Sequence, residues 1–228
     1  MSLRLILIAN NDLLIYPNPA TDPFTASGGA LLNQNQSNTD AVIGSGDYDI
    51  GHLFMQGGLN GLAQTPSLCI TGKARAFSQL NNTAGDPFAI DIVAHEMGHQ
   101  FIANHTQNNS CQRANPPHPV EVGSGTTIMG YAGICGPNVQ SNSDDYFGGN
   151  GLRFMSDYIT TGSGNSCDVV VSNSNLPPTF DHRIPSRILP KNTPFFLHTS
   201  ATDPNGDALT YTFEQNDPEI ATMPPVAT

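Results

Sequence analysis

His95, Glu96 and His99 form the pattern His-Glu-x-x-His, and His105 follows six residues after His99. On a helix, two residues four apart share one face, about 6 Å apart along the axis. Two imidazoles at that separation can share one zinc ion. Glu96 lies beside them, where it can act as general base on a water held at such a metal. His105 is too far round a helix to join the pair, and it reaches the same metal only if the helix ends and the chain turns back. The residues therefore pose a choice between a three-histidine zinc site and a two-histidine site with a bystander.

A helix must carry the pair. Gly85-Asp86-Pro87 reads as its start, with Asp86 as N-cap and Pro87 at the first helical position. Phe88, Ile92, Ala94, Phe101 and Ile102 supply its apolar stripe. Upstream, residues 3–9 and 12–16 read as strands, 39–42 as a short helix and 74–77 as a strand. Beyond His105 the chain is polar and Pro-rich, then compact and apolar at 126–131 between glycines. Residues 154–160, with Leu152, fit a short amphipathic helix ending near Gly162. Residues 172–178 read as a linker, and 195–200 and 208–214 alternate like strands around a turn at 203–207.

The 228-residue chain has a net charge of −11 with only 12% charged residues. Without a Lys/Arg run, that balance argues against nucleic acid or an anionic membrane as partner. No apolar run approaches the roughly 20 residues of a membrane span. The opening residues 1–9 mimic a signal peptide, yet alternating Ile and Leu ending in Asn10-Asn11-Asp12 reads better as a buried strand and turn. Cys69, Cys111, Cys135 and Cys167 contain no C-x-x-C pair, which disfavours cysteine-bound zinc. Two disulfides in an oxidising, extracellular setting are expected, and four cysteines leave three pairings open.

His95-Glu96-Met97-Gly98-His99 with His105, followed by Ile128-Met129-Gly130-Tyr131, resembles the metzincin metalloproteases. The resemblance is to the adamalysin/reprolysin-like branch and extends over roughly residues 3–168. Asp49-Ile50-Gly51-His52-Leu53-Phe54 is similar to the segment before that branch's substrate-binding edge strand. Gly61-Leu62-Ala63 with Cys69 is similar to the edge strand itself and the cysteine after it, and Cys111 and Cys167 fall where the branch places cysteines.

The resemblance implies an α+β zincin fold with an α/β-like upper subdomain, a mixed twisted sheet, an active-site helix and a Met-turn. It implies a catalytic domain over 1–172, expected to be N-terminally truncated, and a linker at 173–177. Residues 178–228 resemble the start of an Ig-like or cadherin-like β domain. The implied function is a secreted zinc endopeptidase acting on protein or peptide. His95, His99 and His105 would hold zinc through neutral imidazoles, leaving one position for water. Glu96 would take that water's proton and pass it to the leaving amine.

In the same scheme Met129 would form a floor below the metal. Tyr131 matches the position at which astacins and serralysins carry a tyrosine that touches metal or oxyanion. Gly61, Leu62 and Ala63 would pair with an extended substrate. The implied disulfides are Cys69–Cys167 and Cys111–Cys135. Adamalysins can also hold a structural calcium between an Asp near Asp49 and the end of the last helix, so calcium is carried beside zinc.

One residue departs from the pattern. Metzincins have Gly at the eighth position of the motif, where the chain leaves the helix in a left-handed conformation, and this chain has Ile102. A β-branched residue there costs on the order of 1–2 kcal/mol. Three arrangements follow: the turn moves to Asn104, Ile102 is strained, or His105 falls short of the metal. The expectation is a turn at Asn104 that brings His105 back. Glu121, 22 residues past His99, has the spacing of a thermolysin-like third ligand, but Pro116-Pro117-His118-Pro119 forbids a regular helix before it. The rival functions are a gluzincin-like or other zinc hydrolase with the same short motif, and a catalytically silent extracellular adhesion module on the same scaffold.

Overall fold

The computed structural model describes residues 3–25, 27–182 and 184–219. Of these, 7–168 with 214–219 form one compact unit, and 3–6 with 169–213 form a smaller one.

The larger unit is α+β. Helix α1 (Gly29–Val42) packs on a three-stranded sheet of β1 (Leu53–Gln56), β2 (Asn60–Ala63) and β3 (Ala76–Leu80). The strand order is β1-β3-β2, with β1 parallel and β2 antiparallel to β3. Central β3 begins with three buried residues, Ala76, Phe77 and Ser78, whereas edge strand β2 alternates between exposed and half-buried. Gly61 lies opposite Ser78 and Leu62 opposite Phe77.

Leu31 and Leu32 of α1 pack on Phe77, and Asn35 Nδ2 donates to the carbonyls of Ala74 (2.6 Å) and Ala76 (3.2 Å). These anchors make α1 fourteen residues long, where the sequence suggested a helix only at 39–42. Its Asn, Gln and Ser residues are poor helix formers, and tertiary contacts hold what propensity does not.

No strand forms at residues 3–9, and 12–16 is replaced by a 3₁₀ turn at Asn11–Leu14. An alternating apolar pattern becomes a strand only beside a partner edge, and among the described residues none pairs with it. In the smaller unit, the strands expected at 195–200 and 208–214 are also absent. Instead β4 (Thr179–Phe180) pairs antiparallel with β5 (Ala201–Thr202). The expected turn at 203–207 is present, with the Asp203 carboxylate accepting the N–H groups of Asn205 and Asp207.

A single helical stretch crosses beneath the sheet in three runs: α2 (Asp86–Phe88), a π-helical run (Ala89–Ala94) and α3 (His95–Gln100). Its cap is Gly85, at φ 81°, and Asp86 is the first helical residue rather than the N-cap. Asp86 there still opposes the positive end of the helix dipole. Helix α4 (Gly149–Thr160) completes the core: Tyr158 packs with Leu68 and Phe101, and its hydroxyl donates to the Leu68 carbonyl at 2.7 Å. Disulfides join Cys69 to Cys167 and Cys111 to Cys135. Among the described residues no helix is long and apolar enough to cross a membrane.

Candidate active site

α3 places His95 and His99 one turn apart on one face, with ring centroids 4.8 Å from each other. The helix then ends in a Schellman arrangement. The Ile102 N–H donates to the His99 carbonyl and the Ala103 N–H to the Gly98 carbonyl, both at 2.9 Å. The left-handed residue between them is Ile102 itself, at φ 77°, and Asn104 is not among the positive-φ residues. The expected turn at Asn104 is therefore corrected. The chain accepts the strain at Ile102, whose side chain packs beside Leu68, Phe101 and Tyr158.

That turn returns His105 to the helix face. Its Nε2 lies 3.0 Å from His99 Nε2, and one ligating nitrogen from each of His95, His99 and His105 falls within 4.8 Å of the others. Each ring is oriented through its other nitrogen. His95 Nδ1 bonds the Ile128 carbonyl at 2.7 Å, His99 Nδ1 the Ala103 carbonyl at 2.8 Å, and His105 Nδ1 the Gln112 carbonyl at 2.7 Å. A carbonyl only accepts, so each Nδ1 carries the proton and each Nε2 keeps its lone pair. Two such lone pairs 3.0 Å apart repel unless a cation lies between them.

Burial reinforces this state. It holds His95 well below the usual imidazole range, with His99 and His105 adding to the effect, and it brings His99 down to about 4. His105 is lowered as well, chiefly by burial. Three neutral imidazoles converging on one point are a donor set suited to zinc.

Glu96 lies in the same buried site, with Oε2 buried and lacking a hydrogen-bond partner. Burial pushes its carboxyl up to about 8. Its other side packs on the edge strand: a Cβ at Gly61 would meet Glu96 Oε1 at 2.5 Å and Cγ at 2.9 Å. Met129 is fully buried, and a Cβ at Gly98, between His95 and His99 on the helix, would meet its Sδ at 2.5 Å.

Residues 1–158 match the pattern of metallopeptidase family M12B, reprolysin-like. The chain belongs to that family. No curated protein matches it.

In this reprolysin-like chain the Tyr131 ring lies 4.6 Å from that of His105 and 5.7 Å from that of His95, centroid to centroid. Burial, and then the nearby Glu96, push its phenol up to about 12. Gly61, Leu62 and Ala63 lie on the edge strand β2, where Leu62 is exposed, Gly61 and Ala63 are half-buried and Gly61 packs against Glu96. Glu121 is not among the residues that converge with the histidines, and no other cluster of three potential ligands from His, Cys, Asp and Glu occurs among the described residues.

Sequence reasoning missed Gln100. It is fully buried beside His99, and its Nε2 donates to the Gly51 carbonyl and Ser67 Oγ, both at 3.0 Å. Its Oε1 meets His52 Nδ1 at 2.8 Å, and His52 Nε2 meets Ser78 Oγ of β3 at 2.8 Å. This network ties the end of the histidine helix to the sheet. A polar residue on the apolar side of the helix was the available signal.

Proposed function

We propose that the chain is a secreted zinc endopeptidase in which His95, His99 and His105 hold the metal and Glu96 is the general base. The observation that carries this reading is the convergence of three Nε2 lone pairs beside a buried carboxyl with one unpartnered oxygen. Bound zinc supplies Lewis acidity, bringing the pKa of water at its open position towards about 7.

The chain's own groups supply the rest. The exposed edge of β2 pairs with an extended peptide and holds its backbone above the histidines. Glu96 is packed against Gly61 of that strand, in the same buried site as the histidines that would hold the metal. It accepts a proton from the attacking water and returns it to the leaving amine. Tyr131 keeps its proton at neutral pH and donates to the oxyanion of the tetrahedral intermediate. Met129 fills the space under the rings and limits their tilt.

The disulfides support an extracellular setting. The catalytic domain is assigned to 1–172, the linker to 173–177 and an Ig-like or cadherin-like β segment to 178–228. The test is cleavage of casein, with zinc content read by anomalous scattering at the zinc edge. Chelator and Glu96→Ala should each abolish cleavage, and chelator alone should remove the metal. Zinc bound without cleavage would point instead to a silent adhesion module, and cleavage insensitive to both treatments would refute the zinc mechanism.

A further inference from the structure

Glu121 takes no part in that scheme, yet its carboxylate accepts four hydrogen bonds. Oε1 accepts the backbone N–H groups of Thr126 and Thr127, each at 3.1 Å. Oε2 accepts the hydroxyls of Thr106 at 2.5 Å and Thr127 at 2.8 Å. The surrounding backbone leaves room for it: a Cβ at Gly125 would lie 2.7 Å from Oε2, and one at Gly130 would lie 3.3 Å away.

These four donors belong to two segments that orient the histidines. Thr106 follows His105 directly, and its N–H donates to the Met129 carbonyl at 3.1 Å. Thr126 and Thr127 precede Ile128, whose carbonyl accepts from His95 Nδ1. The Glu121 N–H in turn donates to the Thr106 carbonyl at 2.9 Å, beside a bridge between Gln107 and Glu121.

We propose that Glu121 is a positioning residue for the histidine site. Its one carboxylate clamps the segment carrying His105 to the turn carrying Met129, and so sets the ring orientations of His105 and His95. The inference rests on the three histidines holding zinc. Without the carboxylate, two backbone N–H groups lose their acceptor and the two segments separate. The His105 ring then drifts relative to the His95 ring, although neither ring has been altered.

The test compares the full chain with Glu121→Ala, Glu121→Gln and Thr106→Val, and follows folding by circular dichroism. Zinc affinity is read by competition with a chromogenic chelator, and ligand geometry by the visible spectrum of the cobalt-substituted protein. Glu121→Ala should weaken zinc binding about 10–100-fold, alter the cobalt bands, and lower kcat with KM unchanged. Glu121→Gln should stay within about threefold of wild type. Its oxygen still accepts both N–H groups, and the two threonine hydroxyls rotate to accept from its amide.

A folded Glu121→Ala with wild-type zinc affinity and cobalt spectrum would overturn the proposal, as would Glu121→Gln being as damaging as alanine. If Glu121→Ala does not fold, Thr106→Val decides. A loss of zinc affinity in the folded variant supports the clamp, and unchanged affinity overturns it. Wild-type protein that binds no zinc would sink the proposed function itself, an outcome distinct from wild-type binding that Glu121→Ala leaves untouched.

Discussion

Replacing Glu96 by glutamine in the zinc-free protein isolates how strongly the fold disfavours an unpartnered charge beside the histidines. In an unfolded chain this carboxyl titrates near 4.5, and burial in the native site pushes it up to about 8. The native state therefore holds the proton more tightly than the unfolded state. Stability is unaffected below about pH 4.5, falls as pH rises towards 8, and is lowest once both states are ionised. At about 1.4 kcal/mol per tenfold difference in proton affinity, the full displacement amounts to about 5 kcal/mol.

Glutamine keeps the shape and cannot ionise, while contributions from the buried histidines are common to both proteins and cancel. We expect Glu96→Gln and wild type to match within about 1 kcal/mol near pH 5, and the variant to be more stable by up to about 5 kcal/mol near pH 8.5. Urea unfolding in the presence of a chelator measures this. Circular dichroism is the probe of choice, because the chain contains no tryptophan. A difference between the two proteins that does not change with pH would refute the burial argument and leave Glu96 without its raised proton affinity.

Gly61→Ala puts a methyl 2.5 Å from Glu96 Oε1 on a strand held by β3, so the carboxyl must shift; kcat should fall about 10–100-fold with little change in melting temperature. His52, brought down to about 4 by burial, stabilises the fold above about pH 6.5 and loses that contribution as pH falls towards 4. His52 should account for up to about 3 kcal/mol of what the zinc-free chain loses on acid titration over that window, beside the losses from the three site histidines, and His52→Gln should reduce the total by that amount. Ile102→Asn relieves a left-handed strain of about 1–2 kcal/mol but gives up a half-buried side chain worth about as much, so denaturation should shift by less than about 1 kcal/mol. Replacing Cys111 and Cys135 by serine together should cost about 3 kcal/mol. It should also weaken zinc binding, because the neighbouring Gln112 carbonyl orients His105; a variant with unchanged zinc affinity would disconnect that loop from the site.

The parts of this molecule legible in its sequence are those whose partners lie close along the chain. His95, Glu96 and His99 sit within one helical turn, so spacing alone predicts their shared face. The same holds for the helix at Gly149–Thr160, whose apolar residues recur at helical intervals. The parts that were not legible depend on distant partners. Helix α1 reads as polar because its anchors, Asn35 to Ala74 and Ala76 and the leucines to Phe77, lie about forty residues away. Residues 3–9 read as a strand because alternation records a preference for a sheet face without recording whether an edge is there to receive it.

His105 is the instructive case, because the sequence posed the right question and pointed to the wrong residue. A rule that assigns left-handed turns to glycine or asparagine weighs only the local cost of a side chain at positive φ. At Ile102 that cost of about 1–2 kcal/mol is set against two closing hydrogen bonds at the helix end and the packing of its side chain beside Leu68, Phe101 and Tyr158. Moving the turn to Asn104 would give up both of these closing hydrogen bonds, which the N–H groups of Ile102 and Ala103 make. The turn forms where the helix end and the apolar cluster are both satisfied, and His105 comes back to His99 as a consequence.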